Sequence, residues 1–298
     1  MAKHSGTSYR DTSPTTPIIH ILQGLLMGAA DAVPGVSGGT MALICGIYDR
    51  LVGSIAIGVD AILLLFQGKW RQSLKRLGHI RWFFLLPLVL GIGLSVVTAS
   101  HILPDLIATY PTVTSALFFG LVAASLQAPY REIGRSLQPR DWVVMIAFAL
   151  FAFWLVGLNE AGTVTDPGYL RIFLSAAIAI TAMILPGISG AYLLVVLGMY
   201  TPTLTALKSL NLPYVVTFAL GAAIGLGGFS KILTWLLTHH RATTMSALLG
   251  LMVGSLRTLW PFTAGMSIAQ GSIVVAWIGL GMVMVTAIMH IALRTSAS

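Results

Sequence analysis

Cysteine is almost absent: Cys45 is the only one in 298 residues. No internal disulfide can form, and no Cys-rich metal site can be built. Charge is equally scarce. Charged residues make up 9% of the chain and hydrophobic residues 56%, whereas an average soluble domain is roughly one quarter charged. A soluble fold of this size could not hide so much apolar surface, so lipid is the solvent for much of the chain. Acidic residues number 9 against 17 Lys and Arg, a net charge of +8. On a soluble protein that balance would suggest nucleic acid. Here the basic residues lie in short segments between apolar runs, which is a topology signal, and no nucleic-acid partner is expected. No His-Glu-x-x-His motif and no Cys/His cluster occurs, so neither a metal nor another cofactor is expected.

What is present is a succession of apolar runs, several of them approaching or exceeding the roughly 18–20 residues that span a bilayer. Residues 1–17 are polar and rich in Ser, Thr and Pro, and are expected to form a disordered cytoplasmic tail. Residues 18–298 are expected to form one transmembrane domain with no soluble module. The first apolar run is not expected to be a removable signal, because no cleavage site and soluble domain follow it.

The chain repeats itself. Pro34-Gly35-Val36-Ser37-Gly38-Gly39 returns 152 residues later as Pro186-Gly187-Ile188-Ser189-Gly190-Ala191, and Gly46-Ile47-Tyr48 returns as Gly198-Met199-Tyr200. Further on, Leu90-Gly91 matches Leu220-Gly221, Gly120-Leu121 matches Gly250-Leu251, and Ser125-Leu126 matches Ser255-Leu256, now 130 residues apart. The offset falls from 152 to 130, so the first half carries 22 extra residues, within the basic stretch at about 50–82. Repeat 1 spans about 18–158 and repeat 2 about 170–293.

Each half begins with two short apolar limbs, 18–30 with 37–48, and 170–183 with 189–200. A Pro-Gly break formed by Pro34 and Gly35, or by Pro186 and Gly187, separates them. Neither limb spans a bilayer alone, but a pair can enter and return. Three apolar segments follow in each half, at 83–100, 113–128 and 142–158, then 214–237, 243–258 and 272–293. The predicted fold is therefore all-α, integral to the membrane, with two repeats of a re-entrant hairpin and three transmembrane helices. A hairpin does not change sides and three spans do, so the repeats are inverted. Charge agrees. With the N-terminus inside, 13 of the 17 Lys and Arg fall on the cytoplasmic side and only Arg171, Lys208 and Arg257 outside, Lys231 being in a span. Both termini are then cytoplasmic. Residues 51–66, interrupted by Gly53, Gly58 and Asp60, are read as interfacial.

Unpaired backbone in hydrocarbon costs several kcal/mol per group, so a mid-membrane break lines a cavity or binds something. Ser37 and Ser189 are placed to cap the returning limbs. Free N–H groups are then expected near Gly38, Gly39 and Thr40, and near Gly190, Ala191 and Tyr192. Helix N-termini carry partial positive charge, and two such tips meeting near the midplane would make an anion site. Close helix packing by glycine is the plainer alternative. Asp31 precedes the first tip, with Met183 at the equivalent position. It either binds a proton or cation, coupling transport, or hydrogen-bonds the loop. Arg257 and Lys231 are the cationic substrate-binding candidates; both lie near span ends, where snorkelling also accounts for a cation.

These residues carry a resemblance. Gly28-Ala29-Ala30-Asp31-Ala32-Val33-Pro34-Gly35-Val36-Ser37-Gly38-Gly39-Thr40 and Ala182-Met183-Ile184-Leu185-Pro186-Gly187-Ile188-Ser189-Gly190 look like two signatures of the bacterial polyprenyl-phosphate (undecaprenyl-phosphate) translocase family. Phe229-Ser230-Lys231-Ile232-Leu233 and Gly254-Ser255-Leu256-Arg257-Thr258-Leu259-Trp260-Pro261 look like two more. The resemblance covers nearly the whole chain after Pro17. It implies a transporter in the bacterial inner membrane that returns undecaprenyl phosphate from the outer to the inner leaflet. The tips would hold the phosphate while the tail stays in lipid. Transport of a small soluble anion is the alternative. An intramembrane serine hydrolase is a weaker one: Gly-x-Ser-Gly occurs twice, but no base is placed for either serine, and no enzyme is expected. Protons or sodium as coupling ions, and homo-oligomerisation, stay open.

Overall fold

The computed structural model describes residues 17–31, 37–158, 162 and 164–295. The tail at 1–16 and the first Pro-Gly break, with Pro34 and Gly35, lie outside them. Among the described residues the chain is helical and has no strand. In the first half the helices are α1 (Pro17–Asp31), α2 (Gly38–Ile44), α3 (Tyr48–Phe66), α4 (Trp70–Leu77), α5 (Trp82–Thr109), α6 (Pro111–Ser125), α7 (Gln127–Glu132) and α8 (Pro139–Leu155). In the second they are α9 (Tyr169–Ile184), α10 (Gly190–Val196), α11 (Tyr200–Lys208), α12 (Leu212–His239), α13 (Arg241–Ser255), a 3-10 turn (Leu256–Leu259) and α14 (Ile268–Thr295). Among the described residues four helices are long and apolar enough to cross a membrane, and up to six if each of two bent pairs counts as one span.

The order of elements recurs, with α4 as the addition in the first half. Helices α2 and α10 both have 7 residues, α5 and α12 both 28, α6 and α13 both 15. Packing recurs too. Helix α1 runs along α5 as α9 runs along α12, and α6 along α14 as α13 along α8. Glycines set these approaches. Any side chain at Gly91 would run into the Ile21 carbonyl, and any at Gly221 into the Phe173 carbonyl. Likewise Gly120 lies against the Ile278 carbonyl and Gly250 against that of Met145. Close backbone contact of this kind drives helix association in lipid, where apolar surface alone gives no gain.

Two features differ from the sequence expectation. The returning limbs are short, because Gly46 and Gly198 adopt φ of +67° and +69° and end α2 and α10. In each case two N–H groups turn back onto the helix. Gly46 and Ile47 donate to Leu43 and Ala42, and Gly198 and Met199 to Val195 and Leu194. The repeated Gly-x-Tyr is thus a helix stop of the left-handed type. After it, α11 leaves α10 at 109°. The second difference is α3, which runs unbroken for 19 residues through Gly53, Gly58 and Asp60. A single helical glycine costs only about 1 kcal/mol, and packing of α3 against α12 and α4 outweighs it.

Helix α2 is wholly buried, as is most of α13. Helices α5, α8, α12 and α14 expose large apolar side chains such as Phe83, Leu150, Ile224 and Val283. An apolar exterior over so much surface is the mark of a lipid-facing protein.

Candidate functional site

The first tip is closed on itself. Ser37 is extended (φ −129°, ψ 139°), and its hydroxyl accepts from the Gly39 N–H at 3.1 Å. The Thr40 N–H reaches the Ser37 carbonyl at 2.9 Å. The remaining donor, Gly38 N–H, meets the Asp31 carboxylate at 2.6 Å. A carboxylate on a helix N-terminus is favoured both by charge and by the hydrogen bond. Of the two readings of Asp31, the loop hydrogen bond is therefore present. The Thr40 hydroxyl is buried and without a partner among the described residues.

The two tips meet. The Ser37 hydroxyl donates to the Leu185 carbonyl at 3.3 Å, and the Tyr48 hydroxyl donates to the Ile184 carbonyl at 3.1 Å. Gly39 packs so closely on the Ile184 carbonyl that a Cβ would stand 2.8 Å from it. Gly187, at φ +87°, lies against Met252 and Ser255 of α13. A side chain there would be excluded by backbone conformation and by space alike.

The second tip is capped differently. The Ser189 hydroxyl accepts from the Tyr192 N–H at 3.4 Å, and the Leu193 N–H reaches the Ser189 carbonyl at 3.1 Å. The N–H groups of Gly190 and Ala191 have no partner among the described residues. Met183 sits on Gly190 where Asp31 sits on Gly38. A thioether offers these donors almost nothing, whereas a carboxylate satisfies them. A cleft of about 160 Å³ opens beside them, lined by Asp31, Ala176, Ala179, Met183, Gly190 and Phe218 among others.

The two cationic candidates are engaged elsewhere. Lys231 forms an ion pair with Asp60 of α3, and Arg76 stands 3.7 Å from the same carboxylate. Arg257 donates to the Phe153 carbonyl at 2.9 Å, stacks on the Phe153 ring at 4.3 Å and fills the space over Gly157. It covers the C-terminal end of α8. The Tyr192 hydroxyl caps the same end, donating to Leu158 at 3.1 Å. Tyr192 thus links the second tip to the end of α8 on which Arg257 rests.

One cluster was not anticipated from the sequence. Arg241 at the start of α13 donates to Asp49 at 2.7 Å and to Glu132 at 2.5 Å. It ties the beginnings of α3 and α13 to the end of α7. The signal was visible: two carboxylates in otherwise basic stretches, and an Arg at the start of a span. Their pairing across 109 and 192 residues was not.

Residues 27–277 match the family described as undecaprenyl phosphate translocase-like. A Vibrio cholerae protein named polyprenyl-phosphate transporter is 41% identical over 247 residues, covering 83% of this chain and 78% of that one. A Staphylococcus aureus protein of the same name is 30% identical over 260 residues, covering 82% of this chain and 86% of its own. No solved structure matches the chain.

Proposed function

The chain belongs to the undecaprenyl phosphate translocase-like family, and from that membership we propose that it moves polyprenyl phosphate between the leaflets of the bacterial cell membrane. The direction we assign is outer to inner, for reuse of the carrier. The two repeats are inverted, each hairpin re-enters the membrane, and the lipid's phosphate binds at the second tip. The polyprenyl tail stays in lipid outside the cleft.

One observation carries the choice of tip. Gly190 and Ala191, whose N–H groups have no acceptor among the described residues, line a cleft, while the equivalent Gly38 N–H is taken by Asp31. A phosphate oxygen would satisfy them with charge-assisted bonds. Asp31 also lines the cleft, so an incoming phosphate meets a like charge unless the carboxylate is protonated or paired with a cation. That is the basis for assigning it a coupling role. With the topology read from charge, Phe218 and Ala222 lie in the outer half of α12, so the cleft faces the outer leaflet. The Arg241 ion pairs lie on the cytoplasmic side and hold that side together. Arg257, at the outer end of α8, would gather the headgroup before it reaches the tip.

The test deletes one donor without changing any side chain. Replacing Ala191 by its hydroxy-acid analogue turns that amide into an ester. A hydrogen bond to a charged group contributes about 1.5–3 kcal/mol, so lipid transport in proteoliposomes should fall by about tenfold or more. Unchanged transport would remove the second tip from the site. The same assay run with inorganic phosphate separates a lipid carrier from a carrier of small soluble anions.

A further inference from the structure

Helix α4 has no counterpart in the second half, where α11 leads directly into α12. It belongs to the stretch 67–82, which holds Lys69, Arg71, Lys75, Arg76 and Arg81 and no acidic residue. The helix is strongly sided. Ser73 is buried, and its hydroxyl donates to the Ala61 carbonyl of α3 at 2.7 Å. Trp70 and Leu74, on the adjoining strip, are each 57% exposed. Arg71 and Lys75 occupy the next strip outward, and no carboxylate lies against either among the described residues. Arg76, on the far side, shares Asp60 with Lys231.

The helix also lies across the direction of the span that follows. It bends by 78° into α5, and the Trp82 indole fixes the corner by donating to the Leu77 carbonyl at 3.0 Å. Just past this corner α5 also exposes Phe83 and Leu86. A helix lying across a span, with Trp70 and Leu74 exposed, Arg71 over the Trp70 ring at 5.4 Å and no carboxylate against Arg71 or Lys75 among the described residues, matches the chemistry of a bilayer interface.

We propose that α4 is a docking surface for anionic phospholipid headgroups of the leaflet it lies against, with Trp70 and Leu74 in the acyl boundary and Arg71 and Lys75 on the phosphates. The observations favour lipid over a soluble partner for two reasons. The apolar residues of α4 sit one short turn before the exposed apolar residues of α5, and the cations flank that strip rather than forming a separate patch. The surface occurs once although the fold repeats, so the two membrane faces of the protein meet lipid differently. The inference rests on the chain being a membrane protein and not on what it transports.

The experiment uses the full chain in nanodiscs of phosphatidylcholine alone or with phosphatidylglycerol, and reads amide hydrogen exchange across α4. Each basic residue near an anionic surface contributes about fivefold in binding. Exchange in α4 should therefore slow by about tenfold or more when phosphatidylglycerol is present. The Arg71→Gln/Lys75→Gln protein should lose that difference; both side chains point outward, so the fold is kept. Three results would overturn the proposal: equal exchange in the two disc types, an undiminished lipid effect in the double variant, or the same protection from inorganic phosphate in phosphatidylcholine discs. Transport is not measured, so failure here leaves the translocase reading untouched, and failure of that reading leaves this one standing.

Discussion

At the scale of single residues, Asp31 and Met183 distinguish two otherwise matching tips. Asn at position 31 would keep an acceptor for the Gly38 N–H and lose only the charge. We expect Asp31→Asn to fold normally and to transport without dependence on an imposed proton or sodium gradient. Gradient dependence equal to that of the original chain would leave Asp31 as a cap alone. Arg257 is tested by the difference between its planar group and a point charge. Lysine can still reach the Phe153 carbonyl but cannot stack in the same way or offer a bidentate fork. Arg257→Lys should lose most lipid uptake, about tenfold, with normal insertion in the membrane; full uptake would make it an anchor for α8. Glycine positions are poor probes, because a side chain at Gly190 collides with the Ala179 carbonyl and would perturb packing before binding. The serine caps were legible in the sequence, since Ser before a Gly-rich helix start has a local partner. The partners of Asp31 and Lys231 were not. The first depends on how the chain returns seven residues later, and the second on the register of α3 against α12.

At the scale of elements, the Arg241 cluster is the joint between the halves. Its three side chains are 39–49% exposed, so each pair contributes at most about 1 kcal/mol to stability. Its effect should appear in conformation instead. Cys45 reports on this directly, being the one cysteine of the chain, buried, and next to the stop of α2. Arg241→Ala should raise the rate at which a soluble maleimide modifies Cys45 several-fold, with little change in the melting temperature. Salt should act in the same direction on the original chain, because it screens exposed pairs. An unchanged rate would mean that the cluster does not restrict access to Cys45. The apolar runs at 83–100, 214–237 and 272–293 lie inside α5, α12 and α14, although α5 continues to Thr109. The short returning helices were not, although Gly46 and Gly198 were already seen as a repeated pair. Their role depends on a positive φ that repetition alone does not indicate.

At the scale of the whole molecule, the repeat is legible because its glycines are the contacts. Gly91 and Gly221, and Gly120 and Gly250, were matched by sequence and lie against matching partners. Inversion is a further step, and labelling tests it. In a Cys45→Ala background, Arg135→Cys should react only with a reagent on the cytoplasmic side, and Asp166→Cys only from outside. Reaction of both from the cytoplasm would end the inverted arrangement. The function itself is tested most directly by reconstitution. Purified protein in liposomes that contain labelled polyprenyl phosphate should move the lipid from one leaflet to the other. A membrane-impermeant phosphatase added outside would follow the movement. The translocase reading predicts a protein-dependent rate that falls when Ala191 carries an ester. A rate equal to that of protein-free liposomes, with the protein folded and inserted, would contradict it.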